Sequence, residues 1–564
     1  MTQDFDAVII GSGAGAGPVA LTLAQKGCSV LVLEKGPWFT EADFYKDELA
    51  CCRRSVYTPE LKHEFHVLEE KTEHDGWQAQ STEQSGRDFW NGNMVGGSSN
   101  LMSGYFYRLK PQDFRLLSEF GPIAGANMVD WPISYADLEP YYTKVEQEVG
   151  VSGRVVSHAF AEPRSSADFP YPPTGEHPMS KWLDESCQAL GFTSLPTPRA
   201  ILSQPTAQRR SCEYSGYCGS YGCASGAKGS SRAALLERAI ASGNCQIRPN
   251  SKVFKLSSDA KGKIKSVHFY DSKGLPRQVT AKVYVVACQA IESSRLLLAS
   301  AGPKHPNGLA NNRNQVGKNI VFSAGGVGHG DFHYRDLDEV RARQLKMQGP
   351  FVNRGLQDWY TIDDKQFGAP TKGGTIDFLF AHPNAIAKAN RQKWDDDDHL
   401  IWGSAFKQRL MAAFTDYRTL NFEMFCDWLP TDNCFVSLDP QQRDRWGNAV
   451  AKIRIDAHPH DLKIARYLAA KGQQVLQHMG AKNLRSSVSS DPPQNLQAGG
   501  CRFGDNPQHS VLDADCRAHD VENLFVTDGS FMPTGGSVPF TWTIYANAFR
   551  VADKIASQLG RVNS

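Results

Sequence analysis

A single unit in the first 34 residues restricts the fold more than any other feature. Phe5 to Ile10 (FDAVII) is short, apolar and β-rich, as a strand buried on both faces must be. It runs into Gly11-Ser12-Gly13-Ala14-Gly15-Ala16, then into a helical pattern from Pro18 to Lys26 that Gly27 stops. Ser29 to Leu33 (SVLVL) reads as a second buried strand, closed by Glu34. Strand, glycine turn, helix, strand and acid in this order bind a dinucleotide. Gly11 permits the tight turn, Gly13 lets a pyrophosphate approach the backbone, and Ala16 is small enough for close helix–strand packing. The helix start offers free N–H groups to the phosphates. Glu34 can accept hydrogen bonds from both ribose hydroxyls. The unit opens the chain and occurs once, which favours FAD over NAD.

At 564 residues the chain holds roughly two to four domain-sized units. Its 61 Lys and Arg balance 60 Asp and Glu, so no net field draws it to a phosphate backbone, and nucleic-acid binding is not expected. No apolar run approaches the ~18 residues of a membrane span. The N-terminus shows no basic region, twin arginine or cleavage site, so no export signal is expected on this chain. Thirteen cysteines are too few for a disulfide scaffold of this length.

Two further segments suit a flavin nucleotide. Gly96-Gly97-Ser98-Ser99 is a loop of small residues that can press backbone against a flat ring and donate to phosphate. Asn523 to Asp528 reads as a strand ending in an acid, and Asp528 can hold a ribityl or pyrophosphate group. Cys212, Cys218 and Cys223, in CEYSGYCGSYGC, sit in a glycine-rich loop. Three thiolates can hold an iron–sulfur cluster, or a zinc ion with one further ligand; the plain alternative is three structural cysteines.

The chain resembles the glucose–methanol–choline (GMC) flavoprotein oxidoreductases. The resemblance is carried by the N-terminal unit, VGGSS at 95–99, DWPISYADLEPYY at 130–142, VVACQAIESSRLLL at 285–298, VGKNI at 316–320 and SVLDADCRAHDVENLFVTDGSFMPTGG at 510–536, in the family's order. It implies a Rossmann-like FAD-binding α/β domain interleaved with an antiparallel-sheet α+β substrate domain. The FAD domain is expected over 1–150, 210–325 and 490–564, with the cysteine loop at 211–224. The substrate domain is expected over 151–209 and 326–489, where alternating segments such as Thr375 to Phe380 and Asn421 to Phe425 favour strands over helices. By position Val253 resembles the residue whose backbone touches adenine.

Within the family the chain is most similar to the catalytic subunits of bacterial FAD/iron–sulfur sugar dehydrogenases acting on glucosides at carbon 3, on gluconate and on glucose. That resemblance implies a three-iron (3Fe-4S) cluster on Cys212, Cys218 and Cys223. It also implies a small partner subunit carrying an export signal, a haem or quinone electron acceptor and a periplasmic location; a cytoplasmic one is the alternative. The expected activity is oxidation of a hydroxyl of a sugar, glycoside or sugar acid. The rivals are an alcohol oxidase using oxygen and a non-catalytic flavoprotein electron carrier.

The family's two usual base positions fall on Leu496 and Pro539, and neither can accept a proton. Asn495 and Gln497 can orient a hydroxyl but cannot act as bases. A histidine from the substrate domain can reach in, and His382, His458 and His460 are the candidates.

Overall fold

The structure, a computed structural model, describes residues 4–48, 57–72, 76–87, 89, 92–395, 399–491, 493 and 495–561. The expected nucleotide unit forms: a strand Phe5–Ile10, a helix Gly17–Gln25 and a strand Val30–Leu33. These strands belong to a five-stranded sheet in the order Leu524–Val526, Ala281–Val286, Phe5–Ile10, Val30–Leu33, Cys245–Arg248. Every neighbouring pair is parallel. Parallel sheets need cover on both faces, which is why these strands are almost purely apolar. The register sets Ile10 beside Val286 and Leu33, and Val286 beside Val526. The carboxyl ends therefore finish level, and Gly11, Glu34 and Thr527 leave the sheet along one edge, where open parallel sheets bind ligands. The helix Thr541–Gln558 packs against the first helix and buries Trp542, Tyr545 and Phe549.

A second sheet has twelve strands and is largely antiparallel. At its centre Tyr417–Trp428 pairs with Gly374–Phe380 on one side and Gly326–His333 on the other. One face is covered by the helix Pro459–His478, whose Ile464, Leu468 and Leu476 pack on Ile376, Phe422 and Met424. The alternation of a strand then turns Glu423 and Phe425 to the opposite face. Strands from outside 326–489 join this sheet: Val67–Thr72 pairs with Ala449–Arg454, and Gln497–Gly500 with Lys318–Ser323. The strand-rich expectation for 326–489 misses four helices, the short Glu339–Leu345 and Ala385–Arg391 and the longer Gly403–Thr415 and Pro459–His478. A separate three-stranded sheet, Lys252–Ser258, Ile264–Tyr270 and Pro276–Val279, starts beside the nucleotide unit.

Candidate functional site

A cavity of about 440 Å³ lies between the carboxyl edge of the parallel sheet and the uncovered face of the antiparallel one. That volume falls within the ordinary range for small-molecule sites. Gly11, Gly13, Glu34, Gly97, Ser98, Val253 and Asp528 all line it, as do Asn495, Leu496, Gln497 and Pro539. Ala16 does not; it is wholly buried at the start of the first helix.

The nucleotide end is built from backbone constraints. Gly11 has φ +92, and a Cβ there would meet the Ala287 carbonyl oxygen at 2.3 Å. A Cβ on Gly13 would meet no protein atom within 4 Å, so it faces open space in the cradle. Glu34 accepts the Ser12 hydroxyl at 2.5 Å and the Gly36 N–H at 2.8 Å. Burial pushes its carboxyl above the usual range, although both hydrogen bonds oppose this. Asp528 is likewise raised by burial; it accepts the Ser293 and Ser530 hydroxyls and the Gln289 N–H.

Gln289 sits at φ +82, uncommon for a non-glycine, and its Oε1 caps the helix Ala290–Ala299. Its Nε2 and Arg295 Nη1 are buried donors on this cavity with no acceptor among the described residues. Unpaired buried donors are rare in native structures. With the open cradle at Gly13, they fit an anionic dinucleotide such as FAD. Sequence reasoning missed both residues, since neither type marks a nucleotide site by itself.

The substrate end departs from expectation at the histidines. His382 lines the cavity, with Nδ1 3.1 Å from the Gly216 carbonyl oxygen. His458 and His460 do not reach it. His458 caps the helix Pro459–His478 and bonds the Ala124 carbonyl at 3.0 Å, and His460 bonds Thr371 Oγ1 at 3.0 Å. Leu496 and Pro539 present only apolar side chains to the cavity, Asn495 is exposed, and Gln497 is buried with Nε2 3.4 Å from the Phe89 carbonyl oxygen.

The missed residue is Glu423. It lines the cavity beside Tyr105 and Phe425 and stands directly across the sheet from Asp377. Burial first, then the Asp377 charge, pushes its carboxyl up to about 7, against the pull of Arg199. Asp377 is raised to about 6 by burial, although the Tyr107 and Thr197 hydroxyls donate to its Oδ1 at 2.7 and 2.9 Å. The signal was there: an acid on the cavity face of a strand the sequence predicts, NFEMF.

The cysteine loop forms its own wall. Cys212, Cys218 and Cys223 line one hollow of about 40 Å³ with Lys228 and Phe351. Lys228 is buried, and its ammonium donates to the carbonyls of Asn100, Cys218 and Tyr221. Burial pushes the Cys212 thiol up to about 12. At Cys223 burial acts the same way, but Lys228 and hydrogen bonds to Ser225 outweigh it and lower the thiol. Among the described residues no group of three or more His, Cys, Asp or Glu side chains is arranged to hold a metal ion. Cys218 Sγ lies 3.5 Å from the Ser103 carbonyl oxygen, and Ser103 belongs to the wall of the large cavity.

Two family models, both described as GMC oxidoreductase, match residues 172–323 and 430–548. The chain is 29% identical to 6'''-hydroxyparomomycin C oxidase of Streptomyces lividus, over 98% of this chain and 92% of that one. It is 25% identical to the fructose dehydrogenase large subunit of Gluconobacter japonicus, over 99% of each. Among solved structures, formate oxidase superposes with a TM-score of 0.64 at 16% identity, covering 98% of both chains, which shows a shared fold.

Proposed function

The chain belongs to the GMC oxidoreductase family, and from that premise we propose that it is an FAD-dependent dehydrogenase of sugars, glycosides or sugar acids. In this reading it resembles the glucoside 3-dehydrogenases and delivers electrons to an external acceptor. Bound FAD supplies the hydride acceptor for the carbon that carries the hydroxyl. Glu34, Gly13, Gln289, Arg295 and Asp528 would hold the dinucleotide. Asn495 and Gln497 would orient the hydroxyl, with the proton left to another group, because amides are not bases. A positioned base is typically worth ~10²–10⁴ in rate.

The observation that carries the dehydrogenase reading is the cysteine loop, packed against the cavity wall through Cys218 and Ser103. A three-iron cluster on Cys212, Cys218 and Cys223 would supply one-electron passage out of the site. A small subunit with an export signal and a haem or quinone acceptor would complete the relay in the periplasm. In support, one relative is named as the large subunit of a fructose dehydrogenase. No helix among the described residues is long and apolar enough to cross a membrane.

An oxygen-using alcohol oxidase is the second reading. In its support, another relative is named an oxidase. Purification without oxygen followed by iron and labile-sulfide analysis separates the two. The proposal expects iron and sulfide in the protein, dye reduction and no peroxide. Neither iron nor sulfide, together with peroxide formed in air, would establish the oxidase.

A further inference from the structure

Opposed carboxylates on neighbouring antiparallel strands repel each other and are normally avoided. Here Asp377 and Glu423 are such a pair, on the face turned to the cavity. Asp377 is 1% exposed, and its Oδ2 has no partner among the described residues. The Glu423 carboxylate makes no hydrogen bond or ion pair with the described residues, and it opens into the cavity.

Several groups face the pair: the Tyr107 and Thr197 hydroxyls donate to Asp377, and the titratable His382 lines the same cavity. The strand on the far side of Glu423 contributes Val327, which is half exposed and uncharged. Gly355 lies across from Asp377 and supplies no side chain; a Cβ there would strike the Tyr107 hydroxyl at 2.5 Å. Arg199 is the cation that reaches both carboxyls. Its Nε and Nη1 are taken by Asn353 Oδ1 and the Ser103 carbonyl, and its guanidinium lies over the Tyr105 ring. Above about pH 7, where both acids are ionised, two carboxylates against one arginine leave a deficit of one positive charge. Tyr105 and Phe425 border the same space, their ring centroids 6.3 Å apart. Aromatic faces beside carboxylates make a cage for an ammonium group.

We propose that Glu423, backed by Asp377 and flanked by Tyr105 and Phe425, binds a protonated amine, so that the preferred substrate is an amino sugar or aminoglycoside. The inference rests on the reading of this cavity as the place where a sugar hydroxyl is oxidised. An ammonium at Glu423 closes the charge deficit, and the hydroxyl to be oxidised is then carried by the same molecule. Below the point where Glu423 takes up a proton, near pH 7, the cage loses its charge and amine affinity falls.

The test is a binding titration of the FAD-loaded chain, without oxygen, with glucosamine, N-acetylglucosamine and glucose, followed by calorimetry and by the flavin spectrum. The expected result at pH 7.5, where most of Glu423 is ionised and a large share of the amine still carries its proton, is glucosamine bound at least about tenfold tighter than the other two, the size of one charged hydrogen bond. The preference should shrink at pH 6, and E423Q should lose it. Acetylation removes the charge without touching the protein, so that comparison holds even where E423Q folds poorly. Equal affinity for the three sugars overturns the proposal. So does an E423Q variant that keeps the amine preference but loses the pH dependence of turnover, which would make Glu423 the proton acceptor instead. If glucosamine binds selectively but no sugar bleaches the flavin, the cage stands and the oxidation reading falls.

Discussion

At the scale of single residues, the nucleotide cradle separates binding from folding. Gly13 faces open space, so the single Cβ of Gly13→Ala enters the cradle without striking the protein. The variant should fold, purify with little flavin and unfold at the Tm of the flavin-free parent, below that of the flavin-loaded one; a normal flavin-to-protein ratio would contradict the cradle. Gly15 is the contrasting position, because a Cβ there meets the Thr527 carbonyl oxygen at 2.5 Å. Gly15→Ala should cost about 1–3 kcal/mol of folding stability, read from denaturant unfolding. Glu34→Ala removes a buried charged acceptor and should weaken FAD binding by about 10–100-fold, measured by flavin fluorescence on dilution. These residues were legible because each job in a dinucleotide unit admits few residue types. Gln289 and Arg295 were not, because only the fold aims their unpaired donors at the cavity.

Elements explain what single residues do not. The strands Gly374–Phe380 and Tyr417–Trp428 set two acids against each other by register alone. Both carboxyls are raised, Asp377 to about 6 and Glu423 to about 7, against roughly 4 in an unfolded chain. The folded state therefore binds more protons than the unfolded one between about pH 4 and pH 7, and stability falls as pH rises through that window. E423Q removes the repulsion. In the absence of ligand it should be more stable than the parent chain by about 1–3 kcal/mol at pH 8, with little difference near pH 4. Lower stability of E423Q at pH 8 would contradict this.

The cysteine loop is an element of another kind, held by a buried lysine rather than by a ladder. Lys228→Met leaves the carbonyls of Asn100, Cys218 and Tyr221 without that donor. Cys218 keeps the Tyr221 N–H, so the loss falls on the other two carbonyls and should lower stability by at least about 2 kcal/mol in denaturant unfolding, since each unmet buried group costs about 1–3. An unchanged midpoint would show that the loop does not depend on Lys228.

For the whole molecule, the sequence made the two-layer plan readable through contrast: apolar runs such as SVLVL for the parallel sheet and alternating ones such as TIDFLF for the antiparallel sheet. It did not reveal that Val67–Thr72 and Gln497–Gly500 would join the second sheet, because strand pairing at such separations leaves no local pattern. The helix Pro459–His478 went unread although Ile464, Leu468 and Leu476 repeat at helical spacing. His458 and His460, whose types suited a base, serve a helix cap and a hydroxyl contact instead. The cavity is a property of the assembled chain, drawing its walls from residues as distant as Ile10 and Ile544. Its purpose is tested most directly by an anaerobic absorbance titration of the purified chain with glucose, gluconate, a glucoside and glucosamine. The account predicts one bound flavin per chain that is fully bleached by at least one of these compounds. A chain that holds flavin but is bleached by none of them, or one that holds no flavin, would contradict it.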